Sequence, residues 1–482
     1  MREPSKRHPY FLPSVAVYAL LLFGWSALRH AHYGSFAHDL GAYHQIFWNL
    51  GAHGSLWSPI EQMHQWSAHL EVGLLPVGLL YRLAPTPAWL FALQAASSAG
   101  TAIVMERFAA RIIGDSQLAF LCAVATALTP QLLFANIYDF HSITLCAFPM
   151  ALVVLGIETD AVLTVALGAV IALSLREQMG LALAGAAVAW VVRHGRRRAF
   201  FALALGAIGV GVCVAEVAWL IPSYAGGGTF RYAARYDRLG SSGGGALRFA
   251  LAHPLTFLSL PFEGRRRLVY PLVLASGAAL PVLVAIVKAT RAAAVPILVL
   301  APLLLVQLYS SSIPAFSVEF HYGAPVVPLV GAAAIVGVGA LARRGRNLAL
   351  GLAIAWLVVT LTHAIGAVGP LAFAEGGPLD VAFDSSPRAA PLKRAVAIIP
   401  RDAHVSAQDT LTPHLVGDVQ LWPAAEATAD WIFLDGNVSA CNATTDEIRA
   451  AANRLRTDPR FAVRVDEAGV LLVERSSRED RR

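Results

Sequence analysis

Long apolar runs separated by short polar stretches fill the chain from its N-terminus to about residue 368. The first run, from about Phe11 to Leu28, carries no charge and is long enough for a membrane-spanning helix. The pattern predicts about 11 spans, at roughly 11–29, 88–109, 117–135, 142–157, 161–175, 179–193, 199–221, 268–288, 293–309, 322–342 and 347–368. We therefore expect a polytopic helical protein, integral to the plasma (inner) membrane and surrounded by the lipid bilayer.

Charge supports this class and orients the chain. Only 14% of the 482 residues are charged, which is too few to cover a soluble domain of this size. The basic residues form clusters that lie on one side of the membrane if the N-terminus is cytoplasmic: Arg2/Lys6/Arg7, Arg107/Arg111, Arg193/Arg196/Arg197/Arg198, Lys288/Arg291 and Arg343/Arg344/Arg346. Arg265, Arg266 and Arg267 disagree, but they fall in a long outer loop, where the rule is weaker. Topology thus explains the net charge of +6, and no nucleic-acid partner is expected.

Two segments do not fit the pattern of spans. His69 to Ala84 is apolar, but it contains Pro76 and Arg82, so we expect an interfacial helix on the outer face. Residues 369–482 carry more charge, have strand-like runs at 404–406, 431–434 and 470–473, and have a helix from Thr445 to Arg456. The chain is therefore predicted to consist of a transmembrane bundle over 1–368, including an outer loop at 30–87, and a small extracytoplasmic α/β domain over 369–482.

Under this topology the outer loops hold nearly all the residues capable of acid–base or ligand chemistry. They are Asp39, His44, His64, His69, Glu71, Asp139, His141, Arg176, Glu177, Gln178, Glu319, His321 and Tyr322. Ionisable groups at the ends of spans are costly unless they are used or solvated. Their clustering on one side is therefore typical of an active site at the outer membrane interface.

The acids in these loops have two interpretations each. Asp39 suits a general base or a ligand of a divalent cation, or it caps the helix expected over 40–50. Asp139 has the same two interpretations and is followed by His141. His69 and Glu71 are two residues apart, which puts them on different faces of a regular helix, so a metal site from this pair alone is not expected.

The arginines also leave alternatives open. Arg176, Glu177 and Gln178 form a tight outer turn that either binds a lipid phosphate or serves solubility alone. In the large outer loop, Arg231, Arg235 and Arg238 are spaced i, i+4 and i+7, which places them on one face of an α-helix, suited to a phosphate or to anionic headgroups in general. His321 and Tyr322 precede a span and either anchor it at the interface or join the site.

In the order and spacing of its motifs, the chain resembles a family of prokaryotic polytopic membrane proteins that is classed as a domain of unknown function and grouped with the GT-C glycosyltransferases. The resemblance covers about residues 30–475 and rests on Asp39-Leu40-Gly41, Gln45, Trp48-Asn49, Asn136, Asp139-Phe140-His141, Tyr232, Gly240, His321-Tyr322, Pro325 and the segment 400–414. Two positions depart from the family pattern. A Lys-Glu-Asp is common where this chain has Arg176-Glu177-Gln178, and a second acid is often found where it has His44.

The resemblance implies a GT-C architecture with an essential acid in the first outer loop and a polyprenyl-phosphate sugar as donor. A sugar would then be transferred outside the membrane, with Asp39, Asp139 and His141 as catalytic residues. Asp39 would also be the metal ligand if a divalent cation, Mg²⁺ or Mn²⁺, takes part. The expected substrate-binding residues are His44, Gln45, His69, Glu71, Arg176, Glu177, Arg231, Arg235, His321 and Tyr322.

Two other classes of protein remain open from the sequence. One is a transporter or flippase of a lipid-linked substrate, for which Glu216 and Gln307 are the main polar residues within spans. The other is a non-catalytic membrane scaffold that presents the C-terminal domain.

Overall fold

The protein is mainly helical, and its computed structural model describes residues 7–275, 277–373 and 386–476. The α-helices are α1 (Phe11–Ala31), α2 (Ala42–His53), α3 (Val77–Leu83), α4 (Ala88–Ile113), α5 (Ser116–Ala127), α6 (Pro130–Ile137), α7 (Ala147–Thr159), α8 (Val162–Leu175), α9 (Met179–His194), α10 (Ala199–Ala215), α11 (Ile221–Tyr224), α12 (Gly243–Ala252), α13 (Pro254–Ser259), α14 (Arg265–Leu274), α15 (Ala279–Lys288), α16 (Thr290–Tyr309), α17 (Val327–Ala342), α18 (Arg346–Phe373), α19 (Ala389–Ile398) and α20 (Thr445–Thr457). The strands are β1 (Trp57–Ser58), β2 (Met63–His64), β3 (His404–Ala407), β4 (Asp418–Leu421), β5 (Trp431–Asp435), β6 (Phe461–Glu467) and β7 (Val470–Arg475).

Within the described residues, seven helical segments are long and apolar enough to cross a bilayer, or up to nine if each of two bent helix pairs forms one span. The class of polytopic membrane protein is confirmed, but the predicted count of about 11 spans is not. One predicted span, 161–175, is the 14-residue helix α8. At about 1.5 Å per residue it is shorter than a hydrocarbon core of about 30 Å. Two further predicted spans belong to a single apolar stretch, Met179–Tyr224, which contains α9 and α10.

The first of two compact units comprises residues 1–24, 66–74 and 91–370. Its most enclosed helix, α17, is buried along nearly its whole length. Small residues bring its helices into close contact: a Cβ on Gly337 would overlap the carbonyl oxygen of Pro281, and one on Gly180 would overlap that of Gly209. Close approach of backbones is how apolar helices pack in a membrane, where dispersion contacts replace the hydrophobic effect.

The sequence predicted that the segment from His69 to Ala84 is not a membrane span, and the structure agrees. The segment contains a 3₁₀ turn, Val72–Leu74, and then the seven-residue helix α3, which begins directly after Pro76. A helix of seven residues is about 10 Å long, which is a third of the hydrocarbon core.

The second compact unit comprises residues 25–65, 75–90 and 371–482. Its sheet has the strand order β4-β3-β5-β7-β6, with β3 parallel to β4 and β5, and β7 antiparallel to β5 and β6. Helix α19 packs on one face through Leu392 and Ala395, and α20 packs on the other through Ile448 and Leu455. Because both faces are covered, every residue of β5 is buried, which explains the unbroken apolar run in its sequence.

The predicted C-terminal α/β domain is confirmed in its character, including strands β3, β5 and β7 and the helix α20. Thr444 and Glu447 form a reciprocal capping box at the start of that helix. Residues 25–65 and 75–90, which include most of the predicted outer loop, group with the C-terminal segment in this unit. The compact unit around the sheet is therefore built from both ends of the sequence.

Candidate active site

Arg176 and Glu177 occupy a buried turn in the first unit. Helix α8 ends at Leu175 and α9 begins at Met179, because the extended backbone of Arg176 stops the first helix. Arg176 is 3% exposed and Glu177 is 6% exposed. Burial contradicts the interpretation that this turn serves solubility alone, since a buried charge is retained only when it is paired.

Arg176 is the centre of a network of buried polar side chains. Its Nη1 lies 3.6 Å from Oε1 of Glu71, and its Nη2 lies 3.0 Å from Nδ1 of His141. The hydroxyl of Ser142 donates a short hydrogen bond to the same Glu71 carboxylate. Burial, and then the neighbouring His321 and the Arg176 guanidinium, hold the pKa of His141 well below its ordinary value. His141 is therefore neutral and accepts a hydrogen bond from the guanidinium.

His69 and Glu177 form a second pair in the same region. Nδ1 of His69 lies 3.1 Å from both carboxylate oxygens of Glu177, and the His69 ring stacks on Tyr232 with centroids 4.8 Å apart. Burial raises the pKa of Glu177, but His69 and Arg176 outweigh it and lower that pKa to about 2. Burial and Arg176 in turn lower the pKa of His69. A neutral His69 thus donates its Nδ1–H to an ionised Glu177, while the nearby Glu71 contacts other partners.

The loop that carries Asp139 and His141 follows a broken helix. Helices α5 and α6 meet at an angle of 51°, because Pro130 begins α6 and leaves Thr129 with extended ψ. Asp139 is fully buried. It does not occupy the N-cap of the next helical turn, Ser142–Cys146, because His141 takes that position and no side chain caps it. Capping therefore does not explain Asp139.

Arg235 is held between two tyrosines. Its guanidinium lies 4.3 Å from the ring centroid of Tyr232, and its Nη1 donates a hydrogen bond of 3.1 Å to the hydroxyl of Tyr322. The segment that carries it, Arg231–Leu239, is a 3₁₀-helix rather than the α-helix that the spacing predicted. The Arg231 guanidinium also lies near Tyr232, 5.9 Å from its ring centroid, and Tyr236 interrupts the segment with non-helical backbone angles. The predicted α-helical face of three arginines is therefore wrong, although Arg231 and Arg235 both lie near Tyr232.

His321 completes the set of ring contacts. Its imidazole is stacked on that of His141, with centroids 3.7 Å apart and an interplanar angle of 15°. His321 is 4% exposed, and neither ring nitrogen has a hydrogen-bond partner among the described residues. Buried imidazole nitrogens of this kind suit Mn²⁺ or Zn²⁺, whereas Mg²⁺ prefers oxygen ligands and bound water.

Asp39 belongs to the second unit and lies in a π-helical turn, Ala37–Gly41, directly before α2. The N-cap positions of this turn and of α2 are Phe36 and Gly41, and neither has a side-chain cap, so the structure does not show Asp39 as the cap of the helix. Single π-turns are frequent at functional sites. The neighbouring His38 has Nδ1 2.7 Å from a carboxylate oxygen of Glu61. That hydrogen bond, with the nearby charges of Asp39 and Asp409, raises the pKa of His38.

The other residues of the Asp-Leu-Gly motif anchor the first loop to the C-terminal segment within the second unit. Gln45 is fully buried; its amide donates to the carbonyl of Leu415 at 2.6 Å and accepts from the N–H of Gly417 at 3.1 Å. A Cβ on Gly41 would lie 3.0 Å from Oγ1 of Thr412. His44 is 3% exposed, and its Nδ1 lies 3.0 Å from the Tyr81 hydroxyl. Gln45 and Gly41 thus have clear structural tasks.

Several members of these networks were not anticipated. In the first unit, Ser142 contacts Glu71 and Tyr232 stacks on His69. In the second unit, His38 pairs with Glu61, and Tyr81 contacts His44. Ser142 follows His141 directly, and Tyr232 lies three residues before Arg235, so local spacing carried a signal for these two. Gln307, in contrast, has a structural role: its amide donates to the carbonyl of Tyr322 at 2.6 Å and accepts from Tyr270 at 3.0 Å.

Together, the apolar helices and the buried ion-pair network at their ends define a polytopic integral membrane protein with a polar candidate active site. The chain belongs to the family described as predicted membrane protein (DUF2079), whose model matches residues 29–472. This agrees with the family resemblance found in its motifs. No curated protein matches the chain.

Among solved structures, the chain is similar to ArnT from Cupriavidus metallidurans. The crystal structure of ArnT bound to undecaprenyl phosphate has 12% sequence identity and a TM-score of 0.42, over 98% of this chain and 99% of that chain. The structure of ArnT in the apo state has 14% identity and a TM-score of 0.41, over 96% and 97%.

Proposed function

We propose that this protein is a membrane glycosyltransferase of GT-C type, which transfers a sugar from a polyprenyl-phosphate donor to an acceptor on the predicted outer face. The observation that supports it best is the buried network of Arg176, Glu71 and His141 beside the tyrosine-held Arg235. It combines cations that suit a phosphate with acids and neutral histidines that suit proton transfer. The motif resemblance to a GT-C group supplies the donor class.

The proposed reaction is a single inverting displacement at the anomeric carbon of the donor sugar. The acceptor hydroxyl oxygen forms a bond to that carbon while the bond from carbon to the phosphate oxygen breaks. The electron pair leaves with the lipid phosphate, and the hydroxyl proton passes to a carboxylate base. Fixed positive charge near the leaving oxygen lowers the barrier because negative charge develops there in the transition state.

Arg235 is the stronger candidate for the donor phosphate. Arg176 already contacts Glu71 and His141, whereas the only hydrogen bond of the Arg235 side chain to the described residues is the one to Tyr322. The remaining N–H groups of Arg235 suit phosphate oxygens. Arg231 is exposed, and its guanidinium lies farther from the Tyr232 ring than that of Arg235, at 5.9 Å against 4.3 Å, so we assign it a lesser part.

Asp39 is proposed as the base or the metal-binding acid, on its motif and its π-helical turn. Asp139 and His141 are proposed to assist it, with Asp139 as a buried acid and His141 as a neutral hydrogen-bond acceptor. A divalent cation, if bound, would supply further positive charge to the leaving phosphate. His321 is the side chain whose unpartnered, buried nitrogens would suit an ion such as Mn²⁺.

Donor binding is tested on Arg235. Full-length protein in nanodiscs is titrated with a polyprenyl monophosphate, and retention is measured by native mass spectrometry. Arg235→Gln should weaken binding about tenfold or more, because it removes charge-assisted hydrogen bonds to phosphate. Arg248→Gln is the matched control, because Arg248 is exposed in helix α12 and has no ion-pair partner among the described residues. Equal binding by both variants would contradict the donor assignment.

Transfer is tested on Asp39. Membranes of the gene's own host, with the chromosomal copy deleted, are supplied with a labelled polyprenyl-phosphate sugar and complemented with the wild type or Asp39→Asn. We expect transfer to fall about 100-fold or more with donor binding retained, because the substitution removes a base and keeps the shape. Full transfer activity in the variant would exclude Asp39 as the base. Wild-type protein that neither binds nor consumes the donor would favour the scaffold alternative.

A further inference from the structure

The second unit contains a cavity of about 360 Å³ that the proposed reaction does not use. Its wall is formed by the end of α1, the start of α2, the turn before α4, the chain after α19 and the segment around Pro413. The polar lining is dominated by His30, His44, Arg401 and His414. All of these residues belong to the second unit, so the cavity is distinct from the Arg176 network in its residues.

The charge of this wall is one-sided. One guanidinium and three imidazoles line the cavity, and no aspartate or glutamate is among the described residues that do so. Arg401 is exposed and forms no ion pair with a described residue. Arg401 supplies the positive charge of this wall, and no carboxylate of the described lining offsets it, so the wall favours an anion over a cation.

The imidazoles are held in fixed orientations. The rings of His30 and His414 are stacked with centroids 4.1 Å apart and an interplanar angle of 7°, and Tyr33 lies on His414 at 4.0 Å. Nε2 of His414 is buried and has no hydrogen-bond partner among the described residues. A buried polar atom without a partner in a cavity wall calls for a ligand or water to satisfy it.

His44 offers a further donor. Its Nδ1 lies 3.0 Å from the Tyr81 hydroxyl, so donation by the tyrosine leaves the His44 proton on Nε2. Burial, and then the nearby His30, lower the pKa of His44 to about 3. Burial likewise holds the pKa of His414 well below its ordinary value. Burial, with a smaller contribution from the neighbouring imidazoles, keeps these rings neutral, so each can offer an N–H group to an anion.

The position of the cavity in the sequence indicates the membrane boundary. His30 lies in the last turn of α1, and Thr86 and Pro87 directly precede α4. Both helices are long and apolar enough to span a bilayer, and the cavity wall includes the last turn of the first and the residues directly before the second. A ligand there would be within reach of a lipid headgroup as well as of the aqueous phase.

We propose that this cavity is a phosphate-binding site formed by His44, Arg401 and His414. A phosphate offers more acceptor oxygens than a carboxylate and matches a guanidinium combined with several imidazole N–H groups. The phosphate belongs either to a phospholipid headgroup or to a soluble phosphate compound. The site does not depend on the proposed donor-phosphate site, because it contains neither Arg176 nor Arg235; of its residues, only His44 was expected from the family resemblance to bind substrate.

The test uses the full chain in nanodiscs of phosphatidylcholine, titrated with inorganic phosphate and followed by intrinsic tryptophan fluorescence. A parallel set of nanodiscs contains phosphatidylglycerol, and lipid retention is measured by native mass spectrometry. Arg401→Gln should weaken one of the two interactions about tenfold or more. Lys393→Gln is the matched control. It removes one positive charge from an exposed position on α19 of the same unit, where the side chain forms no ion pair with a described residue.

Each outcome decides the proposal. Saturable phosphate binding lost in Arg401→Gln identifies a soluble phosphate compound, and phosphatidylglycerol retention lost in the same variant identifies a headgroup. His414→Gln must weaken the same interaction, which separates a built site from a general effect of charge. The proposal is overturned if neither probe binds, or if Lys393→Gln weakens binding as much as Arg401→Gln. Normal binding of polyprenyl phosphate in the Arg401 variant keeps this result separate from the donor site.

Discussion

The Arg176 network of the first unit and the histidine-lined cavity of the second unit both collect basic side chains, but they differ in the acids that surround them. In the first unit Arg176 lies beside Glu71, and the ionised Glu177 accepts from His69. In the second unit Arg401, His44 and His414 line a cavity without an acid among the described lining residues. Carboxylates offset the charge of Arg176 in the first unit, whereas no carboxylate of the described lining offsets the charge of Arg401 in the second.

The paired network of the first unit can hold its own side chains in position, whereas the cluster in the second unit is suited to bind an external anion. A buried ion pair fixes side-chain orientations, and removing one partner leaves an uncompensated charge in a medium of low dielectric constant. An unbalanced cluster has no such partner to lose and gains by binding an external anion. His44 contributes to this contrast, because a carboxylate at this position would place negative charge in the cavity wall.

The largest effect is expected where the balanced network loses its cation. Arg176→Gln leaves Glu71 and Glu177 buried without their guanidinium, and the loss of one partner of a buried pair costs about 3–5 kcal/mol of stability. Thermal unfolding in detergent, followed by tryptophan fluorescence, should show a large fall in Tm. The same measurement on Arg401→Gln should show almost no change, within about 0.5 kcal/mol, because Arg401 is exposed and pairs with no acid among the described residues.

The control for this comparison is Arg231→Gln, which removes an exposed arginine from the segment between α11 and α12 in the first unit. Arg176→Lys tests geometry, because it keeps the charge but loses the planar fork that reaches both Glu71 and His141. We expect it to lie between the wild type and the glutamine variant. An Arg176→Gln protein as stable as Arg231→Gln would show that the network contributes no net stabilisation.

A smaller effect is expected from the packing of the Asp-Leu-Gly motif. In Gly41→Ala the new Cβ would lie 3.0 Å from Oγ1 of Thr412 and 3.2 Å from Cδ1 of Ile60, so both neighbours must shift. Overpacking of this kind costs about 1–3 kcal/mol. The readout is the urea midpoint of unfolding. Thr412→Ala should restore part of the loss in the double variant, whereas Gly24→Ala, which meets no atom within 4 Å, should not lower the midpoint.

Much of the fold follows from apolar pattern, and the exceptions have physical causes. The apolar run Trp431–Leu434 predicted β5 because a strand covered on both faces needs no polar alternation. Strand β6 was missed, since it is half exposed and a register shift between Val463 and Val465 breaks its alternation. Helix α8 was predicted as a span because its sequence is apolar throughout, although its 14 residues are too few.

Sequence patterns also predicted only part of the candidate site: individual residues could be identified, but their partners could not. Polar residues at the ends of apolar runs stand out in a membrane protein, so His69, Arg176 and His321 were identifiable one by one. Their partners were not, because the contact of His69 with Glu177 joins residues 108 positions apart. In the C-terminal domain a polar residue is ordinary, so Arg401 and His414 were noted only as part of the motif segment 400–414, and their shared cavity became visible only in the fold.

The smallest expected effect is a pH dependence in the second unit, from His38. The hydrogen bond to Glu61 raises the pKa of His38 above its ordinary value of 6.5. Its stabilising contribution is therefore fully present below pH 6.5 and is lost as the pH rises through the folded-state pKa. The His38 side chain is 57% exposed, although that of Glu61 is only 14% exposed, so solvent screening should limit the contribution to about 1 kcal/mol. The Tm difference between the wild type and His38→Gln should accordingly be larger at pH 6 than at pH 9. Glu61→Gln should remove the same pH dependence, and a difference that grows with pH would contradict the assignment.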